Sequence, residues 1–190
     1  MKKHIIALSL AVLVGLLNAC QSLPKSSSPL ITQNTDEKIS FTITGKIGIT
    51  TQNTNGKQAG SAFYGWTQED ERFAIDLTGV LGIGATQIRY DGRTATLISD
   101  KGEITADSPE ELLFKATGWH APISQLPYWV MGKPATNDTS TSTDEGKLLQ
   151  STNDNWTATF EYPKNSSLPS RLIINHTDGH RVVMTIAHSS

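Results

Sequence analysis

Several segments of the chain after residue 38 have an apolar residue at every second position. This alternation restricts the fold more than any other feature of the chain. Between Ile39 and Ile49 one face is apolar and the other polar, with Gly45 at one inward position. The same period recurs at Ala62, Tyr64 and Trp66, at Phe73, Ile75 and Leu77, and at Trp156, Ala158, Phe160 and Tyr162. A period of two is typical of strands with one buried and one wet face. The sequence therefore predicts a mainly β domain.

Two Asp-Gly pairs indicate how the strands connect. Asp91-Gly92 separates 85–90 from 93–99, and Asp178-Gly179 separates 171–176 from 181–187. Asp-Gly is favoured in two-residue hairpin turns, which join antiparallel strands. Successive hairpins of this kind predict a largely antiparallel sheet that curls into a barrel or half-barrel.

Helical signals are confined to the middle of the domain. Ser108-Pro109-Glu110-Glu111 combines an N-cap serine, a proline at the first helical position and a capping-box glutamate, and Gly118 can end the helix. A second short helix is predicted around 126–130, with Pro127 in its first turn. The polar segment 136–146 is predicted to be a mobile loop. Helices collected in one segment are expected to cover one mouth or face of the sheet.

The first twenty residues have the layout of an exported precursor. Lys2 and Lys3 precede the apolar run 5–17, which is too short to span a membrane, and Leu17-Asn18-Ala19-Cys20 resembles a lipobox. The alternative is an ordinary secretory signal followed by a chance cysteine. Because Cys20 is the only cysteine, it would then be an unpaired thiol in an oxidising compartment, so lipidation is the better explanation. We predict a lipoprotein signal peptide over 1–19 and lipidation at Cys20.

Composition supports a tethered domain. Gln21, rather than Asp, follows the lipidated cysteine, which by resemblance to the enteric sorting rule favours the outer membrane. Residues 20–38 are rich in Ser, Pro, Thr and Gln and are predicted to be a flexible tether to a single domain over 39–190.

Without residues 1–19 the net charge of the chain is about −4, and no block of basic residues is present, so nucleic acid is not an expected partner.

No catalytic or metal constellation is evident. His176 and His180 are four residues apart but flank a hairpin turn, and a solvated position at the strand ends is favoured over zinc binding. The chain has neither a Gly-x-Ser-x-Gly elbow nor a phosphate-binding Gly-x-x-x-x-Gly-Lys-Ser/Thr loop. We expect no cofactor, no metal and no enzymatic activity.

The glycine-rich stretch 79–84 contains three apolar residues, Val80, Leu81 and Ile83. Its glycines disfavour a packed strand interior. The stretch either folds into the core or projects an apolar tip, and exposed apolar tips are typical of membrane or partner contacts.

Five motifs in order resemble the LolB family of outer-membrane lipoprotein receptors. They are Gly45-Lys46-Ile47-Gly48, Tyr64-Gly65-Trp66, Leu77-Thr78-Gly79-Val80-Leu81-Gly82, Tyr128-Trp129-Val130-Met131-Gly132-Lys133-Pro134 and Leu168-Pro169-Ser170-Arg171-Leu172. The resemblance extends from about Phe41 to Ile186. Many relatives have proline where this chain has Val80, and their last strand often ends in an aromatic residue where this chain has His188.

The resemblance implies an unclosed antiparallel β-barrel with a helical lid over an apolar cavity. It implies an anchored monomer that receives lipoproteins from the periplasmic carrier LolA, shelters their acyl chains and inserts them into the outer membrane. The partners implied are LolA, client lipoproteins and outer-membrane lipid. The alternative is a structural lipoprotein that supports envelope or barrel assembly through protein contacts.

Two groups of site residues are predicted. Val80 and Leu81 are the candidates for a membrane-insertion loop. The inward candidates for an acyl-chain cavity are Trp66, Phe73, Ile75, Leu77, Leu97, Leu113 and Trp129. Each of these seven side chains can equally belong to an ordinary hydrophobic core.

Overall fold

A computed structural model describes residues 38–53, 56–79 and 85–189. Cys20, the predicted signal peptide, the tether up to residue 37, and the loop residues Val80 and Leu81 lie outside the described residues. All described residues belong to one compact unit.

One antiparallel sheet of eleven strands forms the body of the domain. The strands are β1 (Ser40–Asn53), β2 (Gly56–Glu69), β3 (Arg72–Thr78), β4 (Thr86–Tyr90), β5 (Ala95–Ser99), β6 (Gly102–Ala106), β7 (Ser140–Asp144), β8 (Lys147–Asn153), β9 (Trp156–Glu161), β10 (Arg171–His176) and β11 (Arg181–His188). Their spatial order is β6-β5-β4-β3-β2-β1-β11-β10-β9-β8-β7. The first and last strands of the domain thus pair at the centre, while β6 and β7 are the two edges. The sheet is unclosed, as predicted.

The alternation seen in the sequence decides which side chains face inward. In β1 the odd-numbered residues point inward and oppose the even-numbered residues of β11 and β2, so that Ile43 pairs with His188 and with Trp66. The hairpin predictions are also confirmed: β4 and β5 flank Asp91-Gly92, and β10 and β11 flank Asp178-Gly179.

Both predicted helices are present, and in the sequence they lie between β6 and β7, the two edge strands. Helix α1 (Pro109–Thr117) begins after Ser108, whose hydroxyl accepts the Glu111 N–H at 3.2 Å, and ends at Gly118 with φ of 79°. The Glu111 carboxylate accepts the N–H of Asp107 rather than that of the cap residue, so the capping box is displaced by one residue. A 3₁₀ turn (Ile123–Gln125) leads into α2 (Leu126–Val130). None of the helices in the described ranges is long and apolar enough to cross a bilayer.

The loop prediction for 136–146 is wrong for its second half. Ser140–Asp144 forms edge strand β7, which pairs with the unpredicted strand β8. Every residue of β7 is exposed, so the strand buries no apolar face and has no periodic signal in its sequence. Its order comes from the hydrogen-bond ladder to β8, which is a tertiary feature.

Two apolar clusters are separated along the sheet. The larger joins β1, β2 and β8–β11 to α2, with Trp129, Leu148 and Leu172 among its most buried members. The smaller joins α1 to β5 and β6 through Leu112, Ala95 and Ala106. The two helices are therefore held by opposite parts of the sheet.

Candidate functional site

A cavity of about 1400 Å³ lies between the inner face of the sheet and the helical segment 109–130. This volume exceeds the roughly 300–1,000 Å³ of ordinary small-molecule sites. The sheet wall includes Ile49, Tyr64 and Ile88, and the helical wall includes Leu112 and Leu126. The cavity occupies the space between the two apolar clusters, and large apolar side chains dominate both walls.

Six of the seven side chains predicted from the sequence line this cavity. Trp66, Phe73, Ile75, Leu77 and Leu97 lie on its sheet wall, and Leu113 lies on its helical wall. The five on the sheet share one face because inward positions of neighbouring strands pair, as Trp66 does with Ile75. Trp66 also packs edge-on against Phe73, with ring centroids 6.2 Å apart.

Trp129 does not line the cavity, and this prediction needs correction. Its side chain is 0% exposed and belongs to the larger apolar cluster. The indole Nε1 donates to Oδ2 of Asp138 at 3.0 Å, and the same oxygen accepts the Ala135 N–H at 2.8 Å and the Ser151 hydroxyl. This network turns the indole toward β8 and away from the cavity.

Further lining residues lie on the helical segment, where the signal in the sequence is weak. Leu112, Trp119, Ile123 and Leu126 all contribute. The segment changes from α-helix to 3₁₀ turn and back within a few residues, so no single period of 3.6 identifies its inner face. On the sheet, Ile88 pairs with Leu97 and also lines the cavity. It was missed, although the alternation within 85–90 could have identified it.

Charged residues gather at one margin of the cavity. Glu69, Asp70 and Arg72 lie at the turn between β2 and β3, and Lys38, which precedes β1, pairs with Asp70 at 3.5 Å. On the helical side the Glu110 carboxylate accepts both the N–H and the hydroxyl of Ser124, at 2.7 and 2.5 Å. This contact joins α1 to the 3₁₀ turn, although the two segments are fourteen residues apart.

Tyr64 is one of the polar side chains on the mainly apolar wall of the sheet, together with Gln68 and Thr86. Its hydroxyl donates to the backbone carbonyl of Thr185 at 2.9 Å. Burial raises the pKa of this phenol well above its usual value, because the ionised form would lose its hydration. The hydroxyl is therefore a neutral, satisfied group that leaves the apolar character of the wall intact.

His176 and His180 lie at strand ends, but they pack against tryptophans instead of being fully solvated. His176 is 4.7 Å from Trp156 and His180 is 5.8 Å from Trp119, measured between ring centroids. Both Nδ1 atoms accept backbone N–H groups, from Asp178 and Gln52. Within the described ranges no group of three or more His, Cys, Asp or Glu side chains could hold a metal.

The fold and cavity define a class of protein: an unclosed antiparallel barrel whose helical segment covers a large apolar space. The chain belongs to the LolB family, since the family described as "Outer membrane lipoprotein LolB" matches residues 39–188. This confirms the resemblance found in the sequence motifs. The protein is accordingly an outer-membrane lipoprotein that takes part in the localisation of lipoproteins.

Relatives named outer-membrane lipoprotein LolB align over much of the chain. The protein of Pseudomonas fluorescens is 33% identical over 142 residues, covering 72% of this chain and 67% of the relative. That of Pseudomonas savastanoi pv. phaseolicola is 30% identical over 192 residues, covering 93% and 90%. A solved LolA superfamily protein from Nitrosomonas europaea aligns with a TM-score of 0.41 and 10% identity, over 78% of this chain and 84% of that one.

Proposed function

We propose that this protein receives lipoproteins from the periplasmic carrier LolA, holds their acyl chains in the apolar cavity and releases them into the outer membrane. The observation that carries the proposal is the cavity of about 1400 Å³ with its two apolar walls. Soluble domains ordinarily fill such a space with side chains, because interiors are close-packed. An open apolar space of this size suits a flexible apolar ligand.

The energetics of transfer require such a shelter. Exposure of an acyl chain to water costs about 0.8 kcal/mol per methylene, or about 12 kcal/mol for a chain of roughly sixteen carbons. A lipoprotein in transit therefore needs an apolar environment at each step. We propose that the protein works without catalysis and that cargo moves downhill from the carrier, through this cavity, to the bilayer.

The parts outside the described residues complete the proposal. We propose that 1–19 is removed as a signal peptide, that Cys20 carries the lipid anchor and that 20–38 tethers the domain 39–190. Val80 and Leu81 are proposed to contact the bilayer during release. Support for this role comes from Thr78 and Gly79, which border the cavity immediately before these two residues.

The test measures binding of a fluorescent triacylated lipopeptide and its displacement by free fatty acid. Leu97 and Ile98 are adjacent on β5, but Leu97 lines the cavity whereas Ile98 is exposed on the outer face. Leu97→Gln is expected to weaken binding about tenfold or more, since a buried apolar side chain contributes about 1.5–3 kcal/mol. Ile98→Gln, the matched control, should leave affinity unchanged.

A second pair of variants, on α1, keeps the test informative if one variant fails to fold. Leu113 lines the cavity and its neighbour Phe114 is exposed, so Leu113→Gln and Phe114→Gln repeat the comparison on the opposite wall. Thermal unfolding of all four variants identifies any that fail to fold. Absence of lipopeptide binding by the parent protein, or equal effects within each pair, would refute acyl-chain binding and favour a structural role through protein contacts.

A further inference from the structure

The four central strands of the sheet have an unusual charge composition. The whole chain has 16 Lys and Arg against 18 Asp and Glu. Strands β1, β2, β10 and β11 contain four basic residues, Lys46, Lys57, Arg171 and Arg181, and one acidic residue, Glu69, at the far end of β2. The centre of the sheet is therefore positive in a protein that is negative as a whole.

All four basic side chains lie on the same face of the sheet. In β1 the even-numbered residues point away from the cavity, and their partners share that face: Lys46 pairs with Thr185, which pairs with Arg171. Thr50 pairs with Arg181 and Gln52 pairs with Lys57. The basic residues therefore lie on the outer face, opposite the cavity wall.

Three of the four positive charges have no ion-pair partner in the part of the chain that the structure describes. Arg171 pairs with Glu161 of β9 at 3.1 Å, whereas Lys46, Lys57 and Arg181 form no ion pair with another residue of the described ranges. All three are exposed. Their charges are available to an external anion.

Phe63 lies beside Lys46 on the same face and is the most exposed large apolar side chain of the described residues, at 63%. It pairs with Lys46 across β1 and β2, and the Lys46 ammonium lies 6.0 Å from the ring centroid. Phe63 also pairs with Thr78, the last residue of β3. An exposed aromatic ring beside a lysine on a basic surface is typical of proteins at the membrane interface, where the ring enters the headgroup region and the cations meet phosphates.

We propose that this outer surface, formed by Lys46, Lys57, Phe63, Arg171 and Arg181 and called here the basic face, docks on the anionic phosphate surface of the membrane. A protein partner is less well suited, because stable protein interfaces need a buried apolar centre with several anchors, and Phe63 is the one large apolar side chain exposed on these four strands. Attraction to anionic headgroups needs only exposed cations near the surface.

Docking through the basic face would orient the domain while cargo is received. The cavity lies on the opposite side of the same sheet, so in the docked orientation it faces away from the bilayer and is accessible to an incoming partner. Release of cargo is then a separate step, in which the domain leaves this orientation. The inference rests on membership in an outer-membrane lipoprotein family and on the outer face of the sheet. It does not depend on what the cavity binds, so the two proposals can fail separately.

The test uses the unlipidated chain that begins at Gln21, because the complete core lies between Ile39 and Ile186. Flotation measures its binding to vesicles of phosphatidylcholine and to vesicles of equal parts phosphatidylcholine and phosphatidylglycerol. Binding to the anionic vesicles is expected, with loss at about 1 M salt, where the Debye length falls to about 3 Å.

Two double variants with the same change in net charge distinguish an effect of the basic face from an effect of the overall charge of the protein. Lys57→Gln/Arg181→Gln removes two cations of the basic face, whereas Arg93→Gln/Lys164→Gln removes two exposed cations elsewhere. Each cation near an anionic surface is expected to contribute about fivefold in affinity. The first variant should bind about tenfold more weakly or worse, and the second should resemble the parent. Phe63→Ser should also weaken binding without lowering the melting temperature.

Several outcomes would overturn the proposal. They are absence of parent binding to anionic vesicles, equal loss in the two double variants, and unchanged binding by Phe63→Ser. Soluble polyglutamate serves as a probe for an acidic protein partner. If the parent binds polyglutamate with the same variant dependence but does not bind vesicles, the basic face recognises protein and the membrane proposal is wrong.

Discussion

The ring of Tyr64 lies over Gly45 of the neighbouring strand, with no room between them for a side chain. A Cβ built on Gly45 would lie 3.0 Å from Cε1 of Tyr64 and only 1.8 Å from the carbonyl oxygen of Thr185. That carbonyl oxygen accepts the hydrogen bond from the Tyr64 hydroxyl. Gly45 therefore lets an inward ring cross β1 and bond to β11, which ties together the three central strands of the sheet.

Gly45→Ala is expected to destabilise the domain strongly. The new methyl group would overlap a backbone atom, which cannot rotate away, so the central strands must separate. We expect a loss of at least about 3 kcal/mol in the free energy of unfolding, at the upper end of overpacking costs. Urea unfolding measures it. Gly65→Ala is the matched control, because a Cβ at Gly65 meets nothing within 4 Å. Similar stability of the two variants would contradict the proposed contact.

Alkaline pH should weaken the fold through Tyr64. Burial raises the pKa of Tyr64 in the folded state, so on raising the pH the unfolded chain loses its phenol proton first. The stabilisation is complete below the unfolded pKa of about 10 and declines above it. Tyr64→Phe should lose about 1 kcal/mol at neutral pH, from the missing hydrogen bond, and should show a shallower decline in alkali.

Urea unfolding between about pH 9 and pH 11 gives the slope for each variant. Burial also raises the pKa of Tyr162, whose hydroxyl donates to Leu148, so Tyr162→Phe is the comparison. Tyr64→Phe is expected to flatten the alkaline slope more than Tyr162→Phe does. An unchanged slope in Tyr64→Phe would show that another group governs the alkaline decline.

Asp138→Ala should loosen the connection between α2 and β8. Three donors share Oδ2 of Asp138, and its removal leaves the buried Trp129 indole N–H without an acceptor. We expect a loss of about 1.5–3 kcal/mol in the free energy of unfolding, the range for hydrogen bonds to a charged group. Asp144→Ala, in exposed strand β7, should change stability by about 0.5 kcal/mol or less. Equal midpoints in chemical denaturation would show that the network contributes little.

Leu81→Glu should separate delivery of cargo from its acceptance. If Leu81 contacts lipid, the carboxylate resists entry into the acyl region, so transfer to membranes falls while acceptance from the carrier persists. Leu81→Met, which keeps an apolar side chain, should deliver normally. A two-stage transfer assay and thermal unfolding of both variants provide the readouts. A large fall in the melting temperature of Leu81→Glu would place Leu81 in the core instead.

Cys20→Ala, expressed behind a leader that the general signal peptidase removes, should yield a domain without an anchor. Acyl chains on Cys20 are the proposed anchor, so stable attachment is expected to depend on them. The variant should leave membranes on washing with high salt and alkali, since high salt also screens electrostatic docking. Retention after both washes would contradict lipidation at Cys20. A wild-type chain washed in parallel should stay bound.

The sequence alone was sufficient to predict an element wherever a short run of residues is compatible with only one local structure. Alternation from Ile39 to Ile49 identified β1 and its inward face, Asp91-Gly92 and Asp178-Gly179 identified hairpins, and Ser108 with Gly118 bounded α1. Each signal depends on residues that are close in the chain, so neighbouring residues were enough to interpret it. The family motifs added the unclosed barrel and its cavity, which no local rule contains.

Tertiary structure decided what each inward position faces. Alternation placed Leu97 inward and helical spacing placed Trp129 inward, yet Leu97 lines the cavity while Trp129 is buried against Asp138. The difference depends on where α2 packs, which no local period encodes. Likewise, Lys46 and Arg171 lie in one row only because β11 pairs with both β1 and β10. Sequence periodicity fixes the face of a strand, but the neighbours on that face follow from strand order, which long-range packing determines.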